Sequence, residues 1–297
     1  MKFPNLQIKD LNNLTEITQQ QQVKRIGLLI SGFKKTDLSA LKYLILQMNS
    51  LQSTFEYEFL PTRPGDGFLK LLSSKSPVNR EKVKDNIKSF IDDYKEYLSS
   101  QIESYKLKES PPDYFVLVTM ARYSDNFYSA RKGPLSVLAL GNWKRDMSPP
   151  SLLEFILTLI VRESMSSVSK SLRGSIHLGT KGCLCDLTPN LEEVRLKVLS
   201  AFICNHCRKA LQHDKLPTLA DEVTFVLRKH WIGQSSEPNS PASIALKLGY
   251  NLFTTSGIKA TYWERFVTSM HQEGIKQLIK VIGGIILAGL LLWLGLK

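Results

Sequence analysis

The chain has 297 residues, of which 43% are hydrophobic and 22% charged, with 39 Lys and Arg against 27 Asp and Glu, a formal net charge of +12. That apolar share supports a packed core, and the basic excess makes the surface attractive to anions, lipid headgroups included. The cations are spread along the chain without a basic-and-aromatic recognition motif, a glycine-rich phosphate loop or a G-x-S-x-G elbow. The sequence therefore does not read as a nucleic-acid module, a P-loop enzyme or a serine hydrolase.

Residues 1–22 form a polar segment ending in the run Gln19 to Gln22 and lack the apolar stretch of a secretory signal. Val23 to Ser31 reads as a buried strand. Asp37 is placed to cap a helix over Leu38 to Met48, and Thr54 to Leu60 alternates as a second strand. Pro61 to Ser76, with two prolines and two glycines, reads as a loop. Asn79 to Tyr105 is a long charged helix with Val83, Ile87, Phe90, Ile91 and Tyr94 on one stripe.

Tyr114 to Met120 and Leu135 to Leu140 are two further strands, separated by a polar loop from Ala121 to Gly133. Within that loop Arg122, Tyr123, Asp125, Asn126 and Tyr128 gather polar and aromatic groups between buried strands, so they are candidate ligand-binding residues. A helix opens at Ser151 after Pro149-Pro150, with Gly174 as a natural stop, and Leu191 to Ile203 forms another. Glu154 and Glu163 lie nine apart on the first of these, roughly opposite each other at about 100° per residue, and so make no acid/base pair. Strands alternating with helices place the chain in the α/β class. Residues 23–215 form the α/β domain. A helical region and linker follow over 216–274, with Gly233 to Pro241 as its flexible part.

All four cysteines fall in one window, as Cys183-Leu-Cys185 and Cys204-Asn-His206-Cys207. Two short pairs flanking a helix suit a tetrahedral ion. The expected set is Cys183, Cys185, Cys204 and Cys207 around a structural zinc. Three of these thiols with His177 or His206 form the alternative set. Reduced cysteines fit a cytoplasmic setting.

Ser167 to Leu211 resembles the archaemetzincins, a family of zinc metallopeptidases. Their pattern is H-E-x-x-H-x-x-G-x-x-H, followed by C-x-M, a Leu-Glu-Glu helix and C-x-x-C. His177 falls on the third zinc-binding histidine and Gly174 on the glycine. Cys183 falls on the cysteine of C-x-M, Leu191-Glu192-Glu193-Val194 on the helix start, and Cys204 with Cys207 on the closing pair. Asp186-Leu187-Thr188 stands where that family has a small polar, apolar and hydroxyl run. The resemblance implies a metzincin-like mixed sheet flanked by helices, with a cysteine-rich zinc subsite. The departures are Ser167 and Ser171 at the first two histidines, Val168 at the general-base glutamate, Cys185 at the methionine and Leu178 at a cysteine. A peptidase of this kind needs three ligands, an open zinc position and a carboxylate base. With those positions lost, the resemblance implies a pseudoenzyme with no catalytic residues, acting as a binding or sensing module for a protein or peptide. A non-standard hydrolase built on Asp125, His177 and Glu163 around a metal is the rival.

From Val281 to Leu296 every residue is apolar or Gly, a run of about 24 Å as a helix, extended by Ile275, Leu278 and Ile279. Lys276, Lys280 and Lys297 flank it, and Trp293 lies near one edge. Residues 275–297 are therefore expected to form a single-pass tail anchor in lipid, with the bulk of the chain on the cytoplasmic side. Gly284 and Ala288 have a spacing that permits self-association of spans. A third reading makes this span a membrane-perturbing effector gated by the soluble domain.

Overall fold

The computed structural model describes residues 23–33, 38–63 and 65–249, with single positions beyond. Among the described residues five strands form one mixed sheet in the order β2-β1-β3-β5-β4. These are β1 Lys24–Ser31, β2 Phe55–Phe59, β3 Tyr114–Thr119, β4 Ser129–Lys132 and β5 Leu135–Ala139. β1 runs parallel to β2 and β3, and β3 parallel to β5, while β4 closes the edge antiparallel to β5. The central strands are apolar on both faces, as strands covered by helices on each side must be. Ile26, Leu28, Val116 and Val118 face one core, and Leu29, Phe115 and Leu117 the other.

The second core is closed by α2 (Gly67–Leu72) and the long α3 (Arg80–Ser104). α3 presents the predicted stripe of Val83, Ile87, Phe90, Ile91 and Tyr94, all buried. Asn79 caps it by accepting from Lys82 N. The helix α2 lies within the segment expected to be a loop. Asp66 accepts from the N–H groups of Phe68 and Leu69, and Phe68, Leu69 and Leu72 are buried in the second core. One cap and three apolar side chains outweigh the surrounding prolines and glycines. β4 likewise emerges from the predicted polar loop. Its Ala130 pairs with Val137 and is buried, although its neighbours are polar.

The first core contains α1 (Ser39–Gln47), α4 (Leu152–Val168), α6 (Leu191–Ser200), α7 (Asn205–His213) and α8 (Leu219–Arg228), with the short α5 (Lys170–Gly174) between α4 and α6. α9 (Pro241–Lys247) follows and packs on α1. The cap expected of Asp37 lies outside the described residues. α4 opens on a capping box, in which Ser151 Oγ accepts from Glu154 N and Glu154 Oε2 accepts from Ser151 N. It does not run unbroken to Gly174. Ser169 interrupts it with an extended backbone and caps α5 by accepting from Leu172 N. α7 and α8 were not distinguished in the sequence. Among the described residues no helix is long and apolar enough to cross a membrane. The predicted span at 275–297 lies outside the described residues apart from single positions.

Candidate metal centre and basic cleft

Two loops and one helix start bring the metal donors together. His177 lies just after α5, and its segment forms an isolated parallel bridge with Asp186. Cys183 forms a second bridge with Phe202, so the C-x-C turn is stitched to the segment before Cys204. The carbonyl of Phe202 accepts from Leu184 N at 2.8 Å. Cys204 is the N-cap residue of α7 and Cys207 lies in its first turn.

The donor atoms of His177, Cys183, Cys204 and Cys207 lie within 4.8 Å of one another. His177 Nε2 is 3.4 Å from Cys204 Sγ and 3.7 Å from Cys207 Sγ, and Cys183 Sγ is 3.9 Å from Cys207 Sγ. With Zn–S of about 2.3 Å and Zn–N of about 2.0 Å, a tetrahedral site has S–S edges near 3.8 Å and N–S edges near 3.5 Å. The observed separations fit those edges, so this cluster is able to hold a zinc ion. Cys204 N and Cys185 N point at Cys183 Sγ, at 3.3 and 3.5 Å, the outer-shell contacts that a metal-bound thiolate receives.

Cys185, expected among the ligands, is not a member of this mutually close group. It lies inside the tight turn closed by Asp186 N donating to Cys183 O. Its thiol nonetheless lies against those of Cys183 and Cys207. Its buried thiol hydrogen-bonds to Cys183, which pushes its pKa up to about 12. The same contacts, from Cys185 and Cys207 and then from backbone N–H groups, hold Cys183 far below the thiol range. His206 is exposed and stands outside the group.

A buried carboxylate supports the imidazole. Asp186 Oδ1 lies 2.9 Å from His177 Nδ1, off the line of a well-formed hydrogen bond. Its other oxygen accepts from Lys181 N and Cys183 N. The carbonyl of Asp186 accepts from Lys197 Nζ at 2.9 Å, although Lys197 is only 1% exposed. Burial lowers the Lys197 pKa against the pull of Tyr128, whose hydroxyl is 3.3 Å away. Tyr128 is itself depressed. Burial alone would raise it, but the positive charges of Arg162 and Lys197 outweigh that effect.

Ser167 and Ser171, which the sequence aligns with two histidines of the resembling family, are engaged in hydrogen bonds of their own. Ser167 Oγ donates to Glu163 O and accepts from Arg131. Ser171, through its N–H and hydroxyl, and the Ser169 hydroxyl all donate to Asp214, whose pKa falls well below the carboxylate range as a result. His213 faces both Ser171 and Asp214 through the same nitrogen, Nδ1, so the three groups form no proton relay of the serine-hydrolase kind.

Asp125, His177 and Glu163 are not brought to one metal. Asp125 pairs with Arg80 at 2.6 Å, Glu163 is buried against Arg162, and His177 joins the thiols. Glu154 instead meets Lys229 at 3.0 Å. In the loop singled out from sequence, Tyr123 is buried with its hydroxyl toward Val137 O, and Arg122 donates to Lys75 O. Asn126 takes a left-handed turn conformation. Only Tyr128 of that set reaches the cleft between β4 and α4. That cleft is lined by Arg131, Arg162 and Arg173, which the sequence reading did not select. Their common feature is position, on an edge strand and two helices, which no local motif records.

No protein-family model matches the sequence, and comparison with curated proteins gives no match. Among solved structures, the fold is similar to that of the archaemetzincin of Methanopyrus kandleri, at 15% identity and a TM-score of 0.42, over 67% of this chain and 98% of that one. It is also similar to a zinc-dependent peptidase of Methanocorpusculum labreanum, at 12% identity and a TM-score of 0.39, over 63% of this chain and 99% of that one. Likeness at this level concerns the path of the chain and says nothing of its chemistry.

Proposed function

We propose that the chain is a zinc-stabilised, metallopeptidase-like domain that binds a ligand and does not cleave peptides, held at a membrane by residues 275–297. The observation that carries the reading is the position of His177. Its Nε2 faces two thiols of a closed His/Cys3 set. A zinc ion with three thiolates and one imidazole is coordinatively saturated, so it supplies folding energy and no activated water. The hydroxyls of Ser167 and Ser171, at positions where the resembling family has histidines, make structural hydrogen bonds, and Val168 offers no proton-transfer group. Anchoring is supported by the apolar run Val281 to Leu296.

The test is metal stoichiometry on the full chain in non-ionic micelles, beside a peptidase assay on a mixed-peptide substrate. About one zinc per chain and no cleavage is the expected result. Two zincs per chain with one readily chelated, or cleavage lost in His177→Ala, would overturn the reading. Protease protection in sealed vesicles tests the anchor, with deletion of 275–297 expected to release the chain from the membrane fraction.

A further inference from the structure

A pocket of about 320 Å³ lies between the edge strand β4, the C-terminal half of α4 and the loops that carry His177 and Asp186. Arg80, Lys84, Arg131, Arg162 and Arg173 line it, against one carboxylate, Glu163. Two of the five cations are neutralised outside it, Arg80 by Asp125 and Lys84 by Glu81. Glu163 is taken up by Arg162 and the Ser129 hydroxyl. Among the described residues Arg131 has only the Ser167 hydroxyl as a hydrogen-bond acceptor, and Arg173 has no hydrogen-bond or ion-pair partner.

Two guanidinium donors are also buried without an acceptor, Arg131 Nη1 and Arg162 Nε. A buried donor with no acceptor is costly, and native proteins leave few of them. Burial, and then the like charges of Arg173 and Arg162, depress the pKa of Arg131 against the opposing pull of Glu163. The site therefore gathers more positive charge than its own residues offset. Its walls are apolar and aromatic, with Phe127, Ile176 and Leu187 around the arginines. The volume suits the smaller ligands that such clefts hold.

We infer that this pocket binds a small phosphomonoester, with the phosphate seated among Arg131, Arg162 and Arg173 and the organic body against Phe127, Ile176 and Leu187. Guanidinium forks match phosphate oxygens bidentately, and a dianion offsets the surplus charge better than a single carboxylate does. The inference rests on the reading of this domain as a binding module and supplies that module with a ligand class.

Calorimetric titration of the full chain in non-ionic micelles tests it, with phenyl phosphate as the probe and benzoate as the monoanionic comparison. Phenyl phosphate should bind at least about tenfold more tightly than benzoate. Arg131→Gln and the exposed Arg173→Gln should each weaken phenyl phosphate by about tenfold. Lys247→Gln, which removes an equal charge on α9, should leave it unchanged. A micelle-incorporated phosphatidylinositol phosphate separates the two sources: tighter binding than phenyl phosphate assigns a lipid headgroup, and weaker binding a soluble ester. Equal affinity for benzoate, no effect of either arginine variant, or an equal loss in Lys247→Gln would overturn the inference. Should Arg131→Gln fail to fold, Arg173→Gln alone decides. Failure with one zinc still bound per chain sinks the phosphoester and leaves the zinc reading standing.

Discussion

Cys204 and Cys185 differ in one respect that matters: the Cys204 thiol belongs to the donor group that closes on His177, and the Cys185 thiol does not. Cys204 begins α7 and turns its thiol to His177 Nε2 at 3.4 Å, while Cys185 is held inside a turn. Cys204→Ser is expected to lower zinc from about one per chain toward zero, and Cys185→Ser to leave it near one, as read by atomic absorption. Equal loss in both variants would make Cys185 a ligand. Lys197 is a second residue whose role is set by its surroundings, a buried ammonium donating to Asp186 O and Tyr128 Oη. Lys197→Met keeps the stem but strands both acceptors, and should cost about 1–3 kcal/mol in chemical denaturation. The cysteine spacing was legible in the sequence because a short local bite is written in adjacent residues. The partnership of Lys197 with Asp186 was not, because eleven residues and a helix start separate them.

Elements were legible where periodicity and caps agree. α3 and α4 follow their apolar stripes, with Asn79 and Ser151 at their N-caps. Ser151→Ala removes one half of the capping box and is expected to cost about 1 kcal/mol, seen as a lower denaturation midpoint with an unchanged slope. α2 was hidden because its six residues sit among prolines and glycines, yet Asp66 and the core behind it suffice. β4 was hidden because a four-residue edge strand takes its hydrogen bonds from β5 and needs almost no pattern of its own. At the end of β5, Gly141 has no room for a side chain. An added Cβ would lie 2.3 Å from Met120 O and 2.6 Å from Ala121 O. Gly141→Ala should therefore destabilise by about 2–3 kcal/mol, since both obstacles are backbone.

At the scale of the molecule, acid acts on the fold and the metal together. Glu154 and Glu163 both have pKa values below their ordinary range. Burial opposes this, but Lys229 and the Ser151 backbone outweigh it for Glu154, and Arg162 does so for Glu163. A depressed folded pKa contributes stability above the unfolded value, about 4.3, which is lost as pH falls through the folded value. Proton competition for the thiolates and His177 releases zinc over the same descent. Acidification from neutral pH should thus show zinc loss, followed by unfolding that chelation at pH 7 brings to milder denaturant. Unfolding that is insensitive to chelation would show that the ion contributes no stability.

The sequence by itself determined the α/β alternation, the long amphipathic α3, the clustering of four thiols and the apolar run from Val281 to Leu296. Each of these is a matter of composition or short-range period, which neighbouring residues specify without help from the rest of the chain. Only the tertiary structure decided which donors converge and where the arginines gather. His177 reaches the thiols because isolated bridges join it to Asp186 and join Cys183 to Phe202. Arg131, Arg162 and Arg173 line one pocket because an edge strand and two helices meet there. Convergence of side chains from segments tens of residues apart depends on packing, and packing is set by the whole core at once.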